Sequence, residues 1–267
     1  MMLVGLAVSV PLAVVGGPIP TLTPTILAWM AGSGLGGVAG LLLIYRGLRI
    51  GKVGVVSALA STEGAIAAVL AVFFGERMTI PVALMLCVIV GGIAVVALAA
   101  NAAEPDSAGA GAAVVGEGAA PDPVRPGLSD ERRAALYGAA AALCFGVAVY
   151  STAKVGASLP PIAAVLPARV VGVAGLFIPM ALTGRLRMTR GAVPMVVWIG
   201  IAEVFGNASY VVGSGQSIAI SAVLASQFAA VAAVAAFVLF RERLSGRQRS
   251  GVVAIAVGVA LLTLARG

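Results

Sequence analysis

Nine apolar runs, each close to the length of a membrane-spanning helix, constrain this chain of 267 residues more than any other feature. A helix needs roughly 20 apolar residues to cross the hydrocarbon core of a bilayer. Hydrophobic residues make up 61% of the chain and charged residues 10%, so one water-soluble core cannot hide the apolar surface. The sequence predicts an all-α polytopic membrane protein with runs at 2–17, 26–48, 53–74, 80–100, 134–155, 160–183, 191–214, 218–240 and 248–265.

The residues that most enzymes use for acid-base or metal chemistry are scarce. Histidine is absent, and every aspartate (Asp106, Asp122 and Asp130) falls in one stretch between apolar runs. This excludes imidazole catalysis, a Ser-His-Asp triad and a His-ligated metal. No P-loop motif is present, so we expect no catalytic residues, no metal and no cofactor. The basic residues behind the net charge of +7 lie in short loops between the apolar runs. In that position they set membrane orientation and do not indicate a nucleic-acid site.

Two halves of the chain resemble each other on either side of a Gly-, Ala- and Pro-rich segment, 101–133, that is typical of a flexible linker. Four landmarks recur at shifts of 165 or 166 residues: Tyr45 aligns with Tyr210, Ser61 with Ser226, Glu76-Arg77 with Glu242-Arg243, and Gly92 with Gly258. The sequence therefore predicts one repeat at 1–100 and a second at 134–267.

The second repeat begins with a helix, 134–155, that has no counterpart in the first half. We therefore expect two five-helix repeats with the first helix of repeat 1 missing, either from a mis-assigned start or because it is truly absent. Thirteen Lys and Arg residues fall on one side of the runs, against Arg77, Lys154 and Arg266 on the other. The positive-inside rule then places the linker in the cytoplasm and the chain in the inner (plasma) membrane, and an odd helix number per repeat makes the repeats inverted.

The ends of the two repeats, FFGERMTIPVALMLCVIVGG and LFRERLSGRQRSGVVAIAVG, resemble EamA-type members of the drug/metabolite transporter superfamily. CFGVAVYSTAKVG at 144–156 resembles the helix that opens a repeat in this family, with Lys154 at its usual basic position. LPARVVG at 166–172 resembles the next helix, which usually carries an arginine where Arg169 stands. The resemblance covers 3–100 and 134–265 and implies ten helices and transport of a small molecule. Family members usually keep both termini in the cytoplasm, whereas the charge count puts the C-terminus outside.

Glu63 is the strongest candidate for a functional polar residue. It lies mid-way along the run 53–74, where a charge costs roughly 2.5 to 3.5 kcal/mol on insertion scales. Its counterpart in the second repeat is Phe228, so the repeat fold does not require it. We predict that Glu63 binds substrate or a proton; the alternative is a neutral glutamic acid bonded to a neighbouring helix.

Other polar residues fall into two groups. Glu203, Asn207 and Tyr210 form a stripe that lines a cavity or forms an interhelical network, and Ser61, Thr62, Ser226 and Gln227 form two walls of one central site. Arg169 is expected to pair with a carboxylate or a helix end, or to bind a substrate carboxylate. Structural or gating roles are predicted for Arg169, Lys154, Glu76, Arg77, Glu242 and Arg243.

The sequence as a whole predicts a secondary transporter that exports a small polar or amphipathic metabolite or drug by alternating access, driven by protons or by exchange. Its partners would be the solute, the lipid bilayer and possibly a second copy in a homodimer. The alternative is a non-transporting or degenerate membrane subunit that lacks helix 1.

Overall fold

The structure is a computed structural model and describes residues 1–15, 21–51, 53–102, 128–183, 190–227 and 246–264. All regular elements within these ranges are helical, which confirms the all-α prediction. In chain order the α-helices are α1 (Met2–Val15), α2 (Pro24–Ile50), α3 (Val53–Ala60), α4 (Glu63–Phe73), α5 (Ile80–Ala102), α6 (Leu128–Gly156), α7 (Pro161–Gly172), α8 (Ile178–Leu182), α9 (Val193–Ser214), α10 (Ile218–Ala225) and α11 (Gly246–Leu264). A π-helical turn, Val173–Phe177, joins α7 to α8, and a 3-10 turn, Arg190–Ala192, precedes α9.

Five stretches of the described chain are long and apolar enough to cross a membrane: Pro24–Ile50, Val55–Phe73, Asp130–Gly156, Pro161–Leu182 and Val193–Ser214. The runs predicted at 2–17, 80–100 and 248–265 correspond to shorter apolar helices, Met2–Val15, Ile80–Val95 and Arg249–Leu261. The run at 218–240 is described only as far as Gln227. The count of nine spanning helices and the inverted orientation of the repeats therefore stay predictions.

The run predicted at 53–74 is not one continuous helix. Its helical path is broken at Ser61 and Thr62, between α3 and α4, so Glu63 is the first residue of a helix and not the middle of one. The Ser61 and Thr62 hydroxyls donate to carbonyls three residues earlier, Ala58 and Leu59, at 2.8 and 2.7 Å. Such local bonds compete with the helical ladder and favour a break.

The same break recurs at the position that the repeat predicts. Helix α10 ends at Ala225 and is followed by a turn at Ser226 and Gln227. The Ser226 hydroxyl donates to the Val223 carbonyl at 2.9 Å, and Ser226 is 2% exposed, as is Ser61. Ser61 and Ser226 are thus equivalent in local structure as well as in sequence.

The chain divides into two compact units. The first comprises Met1–Gly40, Ile66–Glu76 and Cys144–Ala222. Within it, α1 packs on α7 and α9, and the small residues Gly32, Gly36 and Gly40 of α2 let α6 approach closely. A Cβ on Gly36 would lie 2.8 Å from the Cys144 carbonyl oxygen, so this glycine face is a packing surface.

The second unit comprises Leu41–Ala65, Arg77–Leu143 and Val223–Gly267. Its described core pairs α5 with α11. A Cβ on Gly92 would lie 2.8 Å from Cγ1 of Ile255, and one on Gly258 would lie 2.6 Å from Cγ1 of Ile89. Because Ile89 and Gly92 correspond to Ile255 and Gly258 at the same repeat shift, the contact is reciprocal, as in an interface between two copies of one motif.

Candidate functional site

A cavity of about 320 Å³ lies within the first unit, where four helices end or pass. Helix α6 contributes Tyr150 and Lys154, and the turn after α4 contributes Gly75 and Glu76. Gly75 has a φ of +99°, which a side chain would strain, and this turn directs Glu76 into the cavity wall. The remaining lining residues are Ala71, Phe74, Ser214, Gln216, Ser217 and Ile218.

Glu76 is bound by the beginning of α10. Its carboxylate accepts hydrogen bonds from the Ser217 hydroxyl and from the backbone N–H groups of Ile218 and Ala219, the latter two at 3.1 and 3.4 Å. The first N–H groups of a helix lack intrahelical partners, and the helix dipole favours a negative charge there. Glu76 therefore caps α10 from a distant part of the chain. The structural or gating role predicted for it stays a prediction.

Lys154 and Tyr150 lie on one face of α6, one turn apart. The Lys154 ammonium is 5.4 Å from the centroid of the Tyr150 ring, a cation-π arrangement. The Tyr150 ring stacks on Phe74 with centroids 5.3 Å apart and meets Trp29 edge-on at 5.6 Å. These contacts hold the Tyr150 ring but leave its polar end unused.

Two residues that line the cavity carry donor groups for which no acceptor lies among the described residues. The Tyr150 hydroxyl is buried, and no acceptor for it lies among the described residues. Lys154 likewise forms no ion pair with another described residue. The ion pair found in the described part of the chain joins Arg169 to Glu203. A buried donor without an acceptor costs about 1 to 3 kcal/mol, so the cavity is suited to a solute that supplies acceptor oxygens.

Arg169 and Glu203 meet away from this cavity, between α7 and α9. Nη1 of Arg169 lies 2.7 Å from Oε1 of Glu203 and 3.4 Å from the Met2 sulfur. Arg169 is 2% exposed and packs against Gly5 of α1, where a Cβ would lie 3.1 Å from its Cδ. Arg169 thus has a carboxylate partner, one of the three roles that the sequence left open for it, and that partner is Glu203, which was predicted to bind substrate or a proton.

The polar stripe below Glu203 is used for internal bonds. The Asn207 amide donates to the Glu203 backbone carbonyl at 2.8 Å, and the Tyr210 hydroxyl donates to the Val149 carbonyl of α6 at 3.0 Å. None of the three side chains lines the described cavity. The Tyr210 bond joins α9 to α6 and the Glu203 pair joins α9 to α7, whereas the Asn207 bond lies within α9. The two interpretations of the stripe stay predictions.

The remaining predicted residues do not join the cavity either. Glu63 begins α4 in the second unit, half-buried, and Ser61, Thr62, Ser226 and Gln227 occupy the two helix breaks of that unit. Nε2 of Gln227 is buried without a described partner. Arg77 is exposed, and Glu242, Arg243 and Phe228 lie outside the described residues.

Sequence reasoning missed four polar lining residues, Tyr150, Ser214, Gln216 and Ser217, and gave Lys154 a structural or gating role. Tyr150 and Lys154 are four residues apart and so share a helix face, which is a signal that the sequence does contain. Ser217 has no such signal, because only the fold brings it to Glu76, 141 positions earlier in the chain.

Apolar spanning helices, buried small-residue contacts and a polar cavity between helices define the class of the chain as an α-helical, multi-pass membrane protein. Residues 1–98 match the EamA-like transporter family, which confirms the resemblance found in the sequence. This match is to a family of membrane transporters and covers the first 98 of the 267 residues.

A crystal structure titled "Crystal structure of protein" is similar in fold, with a TM-score of 0.65 and 18% sequence identity. The match covers 98% of this chain and 84% of that one. At this identity the likeness concerns the fold alone. No curated protein matches the chain.

Proposed function

We propose that the chain is a secondary transporter that exports a small solute with an anionic group, and that the cavity of the first unit is its solute site. One observation carries this proposal: Lys154, which has no described ion pair, and Tyr150, whose buried hydroxyl has no described acceptor, both line the same cavity. Ionisable groups within membrane helices are costly and mark solute or ion paths. A carboxylate or phosphate of the solute would satisfy both donors at once.

The size and walls of the cavity restrict the solute further. A volume of about 320 Å³ is at the small end of the range for ligand pockets. Phe74 and Ala71 provide an apolar wall, while Glu76 is already engaged by three donors of α10. The site therefore suits a metabolite or drug with one acidic group and a small apolar part.

Transport would follow by alternating access, with rearrangement of one repeat relative to the other, driven by protons or by exchange. Glu63 is the proton site that we propose, because it begins α4 directly after a helix break and has no hydrogen bond recorded within the described chain. Ion sites of secondary transporters are often formed at such discontinuous helices. Glu203 is a weaker candidate, since its carboxylate is paired with Arg169.

The test is solute flux into proteoliposomes that contain the purified full chain, with a panel of anionic, neutral and cationic metabolites. Lys154→Gln should lower kcat/KM for the anionic solute by at least about tenfold, because a desolvated charge pair is worth 2 kcal/mol or more. Arg132→Gln removes an exposed arginine outside the cavity and should leave flux unchanged. Glu63→Gln should abolish proton-driven accumulation while exchange persists.

Two outcomes would contradict parts of this proposal. Unchanged kinetics of an anionic solute in Lys154→Gln would remove the cavity from the transport path. Proton-driven accumulation that survives in Glu63→Gln would remove Glu63 from coupling and leave the solute site intact.

A further inference from the structure

A second, larger cavity lies in the second unit and is cationic. Its volume is about 830 Å³, and it is lined by Arg46 and Arg49 of α2 and by Arg133 and Tyr137 of α6. These three arginines are the only charged residues among its lining residues. Among the described residues, the three arginines form no ion pair. The pair that is present there joins Arg169 to Glu203. Three guanidinium groups around one cavity repel each other unless an anion lies between them.

Close helix packing brings these arginines together. A Cβ on Gly51 of α2 would lie 2.1 Å from the Ala134 Cβ of α6, and one on Gly47 would lie 3.2 Å from the Tyr137 Cβ. Only residues without side chains permit this approach of the end of α2 to the start of α6. The helix segments that carry the three arginines are therefore held together by backbone packing and not by loops.

The position and the walls of the cavity distinguish a lipid from a water-soluble anion. Arg46 and Arg49 lie in the last turns of the membrane span Pro24–Ile50, and Arg133 lies in the first turn of the span Asp130–Gly156. The other walls are apolar and include Leu43 and Leu136, the latter 69% exposed. A site at the end of two spans, with arginines above apolar side chains, matches a phosphate headgroup with its acyl chains below.

We propose that this cavity binds the headgroup of an anionic phospholipid such as phosphatidylglycerol. Guanidinium groups bind phosphate oxygens in bidentate fashion, and Tyr137 adds a hydroxyl donor at the level of the headgroups, where tyrosine is common. The three arginines also belong to the side that the charge count places in the cytoplasm, where anionic lipids attract basic residues at about 1 kcal/mol each. The inference does not depend on the solute site of the first unit.

The experiment is native mass spectrometry of the purified full chain in neutral detergent, titrated with phosphatidylglycerol or with phosphatidylcholine. The wild-type chain should bind phosphatidylglycerol more tightly. Arg133→Gln should weaken this binding about fivefold, and the double variant Arg46→Gln, Arg49→Gln should weaken it more. Arg132→Gln is the matched control, because Arg132 is exposed beside Arg133 and does not line the cavity.

Three results would overturn the proposal: equal affinity for the two lipids, an equal loss in Arg132→Gln and Arg133→Gln, or displacement of the lipid by glycerol phosphate at equimolar concentration. The last would show a site for a soluble anion. Arg133→Lys keeps the charge but loses the bidentate geometry, so its affinity for phosphatidylglycerol should lie between those of the wild type and Arg133→Gln. The double variant Arg46→Gln, Arg49→Gln leaves α6 unchanged and tests the site even if Arg133→Gln fails to fold.

Discussion

Two cations of the first unit, Arg169 and Lys154, lie within predicted membrane spans but in opposite circumstances. Arg169 is 2% exposed, paired with Glu203 at 2.7 Å and enclosed by α1. Lys154 faces a cavity beside a buried tyrosine hydroxyl and has no described ion pair. Both charges are costly in a membrane. The difference shows that burial of a charge does not by itself identify function; an unused hydrogen-bonding capacity beside a cavity is the better indicator.

The largest effect is expected from breaking the closed pair. Arg169→Met leaves the Glu203 carboxylate buried without its cation, which costs about 3 to 5 kcal/mol when one partner of a buried pair is removed. We expect the purified variant to unfold at a much lower SDS concentration than the wild-type chain, with little protein recovered.

The double variant Arg169→Met, Glu203→Met is the control for this prediction. Replacement of both charges by apolar side chains is often neutral or stabilising, so it should recover most of the lost stability. If Arg169→Met alone unfolds like the wild type, the pair is not structural and Arg169 becomes a candidate for solute binding.

A smaller effect is expected at Glu76. This residue lines the cavity, but its carboxylate is hydrogen-bonded by the beginning of α10. Glu76→Gln removes the charge at the beginning of α10 and keeps one acceptor oxygen, so it should cost about 1 to 2 kcal/mol in SDS titration. Arg77→Gln changes the next residue, which is exposed, and should have no measurable effect. Equal stability of Glu76→Gln and wild type would show that the carboxylate serves transport and not the cap.

Part of the arrangement around Arg169 and Glu76 could be predicted from the sequence, and part could not. Apolar runs and repeated landmarks predicted the helices and the paired serines, because these depend on composition and on short periodicities. For Arg169 the sequence left open a carboxylate, a helix end or a substrate carboxylate. The choice of Glu203 as that partner depends on how α7 and α9 meet, and the capping of α10 by Glu76 depends on a contact 141 residues apart in the chain. Neither follows from a local pattern.

The break before Glu63 shows the same limit in one segment. The run 53–74 is apolar enough to predict a continuous helix, and hydropathy is insensitive to two hydroxyl residues within it. Ser61 and Thr62 instead bond to carbonyls three residues earlier and end α3. The cost that the sequence analysis assigned to Glu63 was the cost of a charge in mid-helix, and Glu63 does not lie there. At a helix N-terminus the helix dipole favours the charged carboxylate, which it does not do in mid-helix.

The smallest effect, and the sharpest comparison, concerns two tyrosines of the first unit. The Tyr210 hydroxyl donates to the Val149 carbonyl at 3.0 Å, whereas the buried Tyr150 hydroxyl has no described acceptor. Tyr210→Phe should therefore cost about 0.5 to 1.5 kcal/mol of stability and leave KM for the solute unchanged. Tyr150→Phe removes an unsatisfied group, so its stability should equal or exceed that of the wild type while KM for an anionic solute rises several-fold.

Stability in SDS titration and KM in proteoliposomes, measured on both variants, separate a residue that holds the helices together from one that holds the solute. If Tyr150→Phe lowers stability as Tyr210→Phe does, its hydroxyl has a protein partner and the cavity loses one of its two donors.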